Sequence, residues 1–216
     1  MTKNRRVWAL ALWAALFSGA ASATGPASGE WSFRVLLDDS PIGEHRFMLA
    51  TAGEDRRLTS EAEFSVKLLG VTVYRYRHSA NETWRGDCLR QLVSKTDDDG
   101  TPEKVDAKAV GDNTLAVTTA KGTQPVEGCV MSFAYWNPTI RRQERLLNSQ
   151  TGKLEAVQVA RAGSGMVEVR GQPVEAARWR IATPAQPIDV WYTAQGEWVG
   201  LDSTVSGGRK LSYRLK

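Results

Sequence analysis

The stretch that decides the fold runs from Arg56 to Trp84, RRLTSEAEFSVKLLGVTVYRYRHSANETW. Before the glycine, Leu58, Ala62, Phe64, Val66 and Leu68 fall on one side of a two-residue repeat. After Gly70, Tyr74, Tyr76 and His78 share one side, and Val71, Val73, Arg75 and Arg77 share the other. A period of two belongs to β-strands, where successive side chains point to opposite faces. Gly70 between the two runs reads as the turn that sends the chain back.

The same grammar extends in both directions. Upstream, Trp31, Phe33, Val35 and Leu37 alternate with other residues as a half-buried strand, and DDSPIG (38–43) turns the chain into EHRFMLATA (44–52). Downstream, short alternating runs continue to RKLSYRL (209–215), punctuated by DDDG, GDN, TGK, GSG, QG and GG. Many short strands with turn signals between them predict an all-β protein: a strongly curved antiparallel sheet or incompletely closed β-barrel.

One stretch breaks the pattern, GCVMSFAYWNPTIRRQERLLNSQTG (128–152). Asn137 is a good N-cap and Pro138 suits the first helical position. The following residues hold no glycine or proline, which predicts one short α-helix from about Pro138 to Leu147. Its apolar stripe, Ile140 and Leu147, is narrow, so this helix needs a surface to lie on. Arg141, Arg142 and Arg145 make it basic.

The beginning of the chain reads as an address. MTKNRR carries Lys3, Arg5 and Arg6, VWALALWAALF is apolar, and Ala21 and Ala23 are small. That order is a secretory signal peptide cleaved after Ala23, with an apolar run too short to anchor the chain in a bilayer. Residues 24–216 are then expected as a single β-rich domain, exported to the periplasm. The first cysteine is Cys88, far from the cleavage site, so lipid anchoring is not expected. The whole sequence has 28 Lys and Arg against 24 Asp and Glu, a net charge of +4. Removing Lys3, Arg5 and Arg6 leaves 25 against 24, or +1, which gives no electrostatic footprint for nucleic acid.

Two cysteines in an exported chain favour a disulfide, and Cys88 and Cys129 lack the close spacing of a redox pair. The tryptophans Trp31, Trp84, Trp136, Trp179, Trp191 and Trp198 fill a core by default. Alternatively Tyr135, Trp136, Asn137, Trp191 and Tyr192 line a ligand pocket, with the helix after Trp136 as its lid.

Signatures of chemistry are sparse. DDDG (97–100) fails the calcium-loop pattern, because a cation, Lys95, would occupy the first ligand position, and it reads better as a hairpin turn. His45 and His78 have no metal-site spacing and read as partly exposed strand residues. No nucleophile elbow or phosphate loop is present, so no cofactor, metal or catalytic residue is expected. An outer-membrane barrel is disfavoured by charged residues on both faces of several strands.

The segments IGEHRF, GDCL, TDDDG, SFAYWNP, RLLNSQTG and IDVWYTAQGEWVGLDSTVSGGRKLSYRL together resemble a family of exported bacterial proteins of unknown function, DUF6134-like. The resemblance covers nearly all of the chain after the signal, and SFAYWNP is its most specific part. More distantly, the last third is similar to periplasmic curved-sheet proteins of the lipoprotein-carrier type. The family implies no activity. These readings favour a periplasmic protein that binds an apolar or lipid-like ligand without catalysis. The alternatives are a module that binds another envelope protein and a periplasmic hydrolase using His45 or converging carboxylates.

Overall fold

The computed structural model describes residues 26–216, so the expected signal peptide lies outside the described residues. The first half of the chain is a run of eight strands. They are β1 (Gly29–Leu37), β2 (Ser40–Ala52), β3 (Asp55–Leu68), β4 (Val71–Arg85), β5 (Cys88–Asp98), β6 (Thr101–Val110), β7 (Thr114–Thr119) and β8 (Gly122–Glu127). Two short strands, β9 (Arg145–Leu147) and β10 (Leu154–Ala156), pair with each other. The last five are β11 (Gln158–Val169), β12 (Gln172–Ala182), β13 (Ile188–Tyr192), β14 (Trp198–Val205) and β15 (Arg209–Leu215).

Thirteen strands form one sheet in the order β11-β12-β13-β14-β15-β1-β2-β3-β4-β5-β6-β7-β8. Every neighbouring pair in that order is an antiparallel hairpin, except β15–β1, which joins the two ends of the described chain. The sheet bends far enough for β11 to touch β15 through one parallel bridge, Val169↔Leu215, where the Arg170 N–H donates to the Leu215 carbonyl. β8 and β11 do not pair, so the barrel stays open.

Period two explains which face is buried. Trp31, Phe33, Val35 and Leu37 all point inward, as do Tyr76, His78, Ala80, Glu82 and Trp84 on β4. Turn chemistry fits the predicted hairpins. Asp99 and Gly100 sit at positive φ between β5 and β6, and Asp97 caps the turn by accepting from the Gly100 N–H.

Gly128 to Val157 connects β8 to β11 by crossing the inner face, and Met131, Ala134, Trp136, Ile140, Leu146 and Leu147 are buried along it. Two attachments fix its start: the Cys88–Cys129 disulfide and a hydrogen bond from Leu89 N–H to the Val130 carbonyl, 2.8 Å. Gly152 allows its far end to approach the sheet. A Cβ there would lie 2.5 Å from the Thr119 methyl, and its φ of +69° suits glycine.

The expected α-helix is corrected by the structure. Asn137 does cap, accepting from Thr139 N–H at 3.0 Å, but only a five-residue 3₁₀ turn follows, Pro138–Arg142. Gln143 is already extended, and Leu146 and Leu147 enter β9. Ile140 and Leu147 alone make a weak helical seam. The extended course buries Leu146 and Leu147 completely and gives Leu147 N–H the Met131 carbonyl, so packing overrides helix propensity.

Candidate functional site

The core divides into two apolar clusters. The larger is centred on Trp198, whose ring lies 4.3 Å from Phe33, 5.0 Å from Phe47 and 5.4 Å from Tyr135. The smaller holds Val35, Ala62, Phe64 and Tyr76, and Tyr213 packs against both. A cavity of about 320 Å³ adjoins both clusters. Phe47, Leu58, Phe133, Tyr135, Trp136 and Trp198 supply its apolar wall, and the exposed Gln150, Ala185 and Gln186 mark where it reaches the surface.

A row of polar side chains crosses this wall because the inner positions of β2, β3 and β4 are not all apolar. His45 Nε2 and Ser60 Oγ share a hydrogen bond of 2.8 Å, while the His45 ring stacks on Phe47 at 4.0 Å. His78 Nδ1 shares one with Thr96 Oγ1, also 2.8 Å. Burial, with His78 nearby, pushes His45 down to about 3, and burial pushes His78 down to about 4. Both rings are therefore neutral at ordinary pH.

Glu82 is buried in the same wall. Burial pushes its carboxyl up to about 7, against the opposing hydrogen bonds donated by Ser132 Oγ (3.0 Å) and Trp84 Nε1 (2.9 Å). Among the described residues no lysine or arginine lines the cavity. Trp136 Nε1 is buried with no hydrogen-bond partner among the described residues, an uncommon situation for an indole N–H.

The five residues expected to line a pocket are distributed unevenly. Tyr135 and Trp136 line the cavity. Asn137 is fully buried behind it, capping the 3₁₀ turn and donating to Asp87 Oδ1 at 2.9 Å. Tyr192 is buried and donates its hydroxyl to the Tyr135 carbonyl, 2.8 Å, which supports that wall from behind. Trp191 points to the other side of the sheet. Its Nε1 donates to Asp202 Oδ2 at 2.7 Å, and its ring lies over Gly165 and Gly200. Burial would raise the Asp202 carboxyl, but Arg214, Ser212 and Trp191 hold it below its ordinary value.

The expectation of partly exposed strand histidines holds for His45, which is half-buried on β2, and is corrected for His78, which is buried on β4; both line the cavity. His45, His78 and Glu82 could have been found by carrying the inward register of Phe47 and Trp84 two residues at a time along β2 and β4. Ser60 and Tyr213 follow from the same rule.

His45 and Ser60 stand as a base and a nucleophile would, but burial holds the ring near 3, which makes it a weak base, and its hydrogen-bond partners among the described residues are the Ser60 and Tyr213 hydroxyls. Among the described residues no group of three or more His, Cys, Asp or Glu gathers as a metal site, and no helix is long and apolar enough to cross a membrane.

A single bent sheet with an aromatic-walled cavity on its inner side defines a β-barrel-like protein. Within that class, the chain belongs to the family described as a domain of unknown function, DUF6134, whose model matches residues 33–216. A solved structure with a similar fold is the crystal structure of a beta-barrel-like protein of domain of unknown function DUF1849 from Brucella abortus. It has 14% sequence identity and a TM-score of 0.61, with 90% of this chain and 98% of that chain covered. At that identity the likeness is one of fold. No curated protein matches the sequence.

Proposed function

We propose that this protein is exported to the periplasm, loses residues 1–23, and holds an apolar or amphipathic, lipid-like ligand in the cavity as a single domain, without chemistry. The observation that carries this reading is the cavity itself. It has the volume of a small-molecule site, an aromatic and aliphatic wall on one side, and polar groups that include His45, Ser60, His78, Glu82 and Glu155 on the rest. The polar groups narrow the ligand. Neutral imidazoles, hydroxyls and a carboxyl near 7, with no cation in the wall among the described residues, suit a hydroxyl, amide or ester better than a phosphate or carboxylate. The disulfide fits an oxidising compartment.

Native mass spectrometry of protein purified from the periplasm, followed by solvent extraction, tests the reading. A stoichiometric apolar adduct is expected. A clean apo mass, unshifted by a panel of envelope lipids, overturns it and favours the envelope interaction module. That second reading draws on the outer edge of β8 and on the part of β11's outer edge before its bridge to β15 at Val169, where a partner strand has backbone groups to pair with.

A further inference from the structure

β3 and β4 run past their neighbours. β2 accompanies β3 only as far as Gly43↔Phe64, and β5 accompanies β4 only as far as Tyr76↔Asp98. Beyond those points Ser65–Leu68 and Val71–Arg75 pair only with each other. The result is a two-stranded finger that extends about 13 Å past its neighbours, at roughly 3.3 Å per residue. Its base is tied down where Asp99 N–H donates to the Arg75 carbonyl and Arg75 N–H donates to the Asp99 carboxylate.

The finger's composition is unusual for something bathed in water. Leu68, Leu69, Val71 and Val73 are all exposed, and Leu69 is 97% exposed. They occur within six residues and make up half of the large exposed hydrophobics among the described residues. The turn makes Leu69 stranger still. Leu69 and Gly70 both adopt positive φ, 50° and 82°. At the three comparable two-residue turns, Asp38-Asp39, Asp99-Gly100 and Arg170-Gly171, the first position is charged. A leucine in the left-handed region is disfavoured, and here no packing offsets it.

We propose that the finger is a membrane-docking element that seats Leu68, Leu69 and Val71 at the headgroup–acyl boundary of an anionic bilayer. Three features select a bilayer over a protein partner. The apolar groups surround a convex tip instead of lining a groove, so they suit a fluid apolar phase. Ser65 to Arg75 contains Lys67 and Arg75 and no acid, and neither cation forms an ion pair among the described residues. The antiparallel meander also puts the 69–70 turn at the same end of the sheet as Ile188, Ser203 and Leu211, which line the cavity near its opening. The acids lie at the base and not at the tip: Glu63 pairs with Arg77, and Asp97, Asp98 and Asp99 accept from the Gly100 N–H, the Tyr74 hydroxyl and the Arg75 backbone N–H. The inference stands whether or not the cavity holds a ligand.

The test is co-sedimentation of the mature chain with vesicles of phosphatidylcholine and phosphatidylglycerol in equal parts, beside phosphatidylcholine alone. Binding to the anionic vesicles is expected, weakening as salt rises. Leu69→Asp places a residue at the turn that tolerates its backbone better, so the fold is retained, while partitioning falls about tenfold or more. Leu69→Trp reports depth directly. A blue-shifted emission quenched by brominated lipid supports insertion. Absence of vesicle binding by the wild type, equal binding by Leu69→Asp, or a tryptophan still quenched by aqueous iodide overturns the proposal.

Discussion

Trp84 donates its indole N–H to Glu82, two residues earlier on the same strand, at 2.9 Å, and so holds an acid inside the sheet. Both side chains are buried, and the carboxyl is pushed up to about 7 by that burial. An acid whose folded pKa lies above its unfolded value, here 4.5, binds more protons in the native state. Its stabilising contribution is complete below about 4.5 and is lost as pH rises through about 7. The loss is on the order of 3 kcal/mol. Glu82→Gln should therefore be more stable than wild type at pH 8, and the two should converge on acidification. Urea denaturation of both proteins across this range checks it.

The histidines act in the opposite direction. His45 and His78 are held at about 3 and about 4 against an ordinary 6.5, so the native state favours the neutral rings. Their contribution is present above about 6.5 and is lost as pH falls through about 4 for His78 and about 3 for His45. His78→Gln should flatten the acid limb of the stability profile by about 3 kcal/mol as an upper figure. A variant that loses stability with acid as steeply as wild type would remove His78 as the cause.

Reduction of the disulfide should be costly but not instantly fatal. Cys88 and Cys129 are 41 residues apart, and cross-linking a loop of that size stabilises by about 4 kcal/mol at most on chain-entropy grounds. The double variant Cys88→Ser with Cys129→Ser should lose roughly 2–4 kcal/mol. Because these cysteines fix the start of the crossing segment, protease cleavage of that variant should begin between Gly128 and Val157.

Trp136→Phe separates binding from folding. The substitution keeps most of the ring volume and removes an N–H that has no protein partner. Stability should change by less than about 1.5 kcal/mol. Because Trp136 supplies part of the cavity's apolar wall, the bound fraction seen by native mass spectrometry should fall by about threefold to tenfold.

Gly152→Ala tests the close approach of the crossing segment. The new methyl would meet Thr119 at 2.5 Å, on a backbone at φ +69° that disfavours a side chain. A destabilisation of about 2–3 kcal/mol is expected. Thr119→Ala should recover part of it by removing the methyl that collides.

The strands were legible because alternation is a local property. Trp31 through Leu37 and Tyr76 through Trp84 each announce their face without reference to the rest of the chain. The disulfide was legible from cysteine count and the expected compartment. The crossing segment was not. Arg141 to Leu147 scores well as helix, and only the depth available to Leu146 and Leu147 makes the extended course better. The cavity's polar row was obscured for a related reason. His45 on β2, Ser60 on β3 and Tyr213 on β15 meet through register between strands far apart in sequence. Trp191 and Tyr192 are adjacent in sequence, so in a strand they had to face opposite ways, and grouping them in one pocket conflicted with the period-two rule.

The pairing of β1 with β15 has a consequence for biosynthesis. Phe33 to Leu37 find one of their two neighbours in Leu211 to Leu215, about 180 residues later, and Lys216 N–H donates to the Ser32 carbonyl. During vectorial emergence, β1 to β8 can zip up hairpin by hairpin, but β1 keeps an open edge until β15 arrives. The middle of the sheet is thus its final seam, and the most non-local contacts are made last, which is the slow step for such topologies. Until then the exposed edge of β1 is the place where a chaperone would bind or two nascent chains would pair in error.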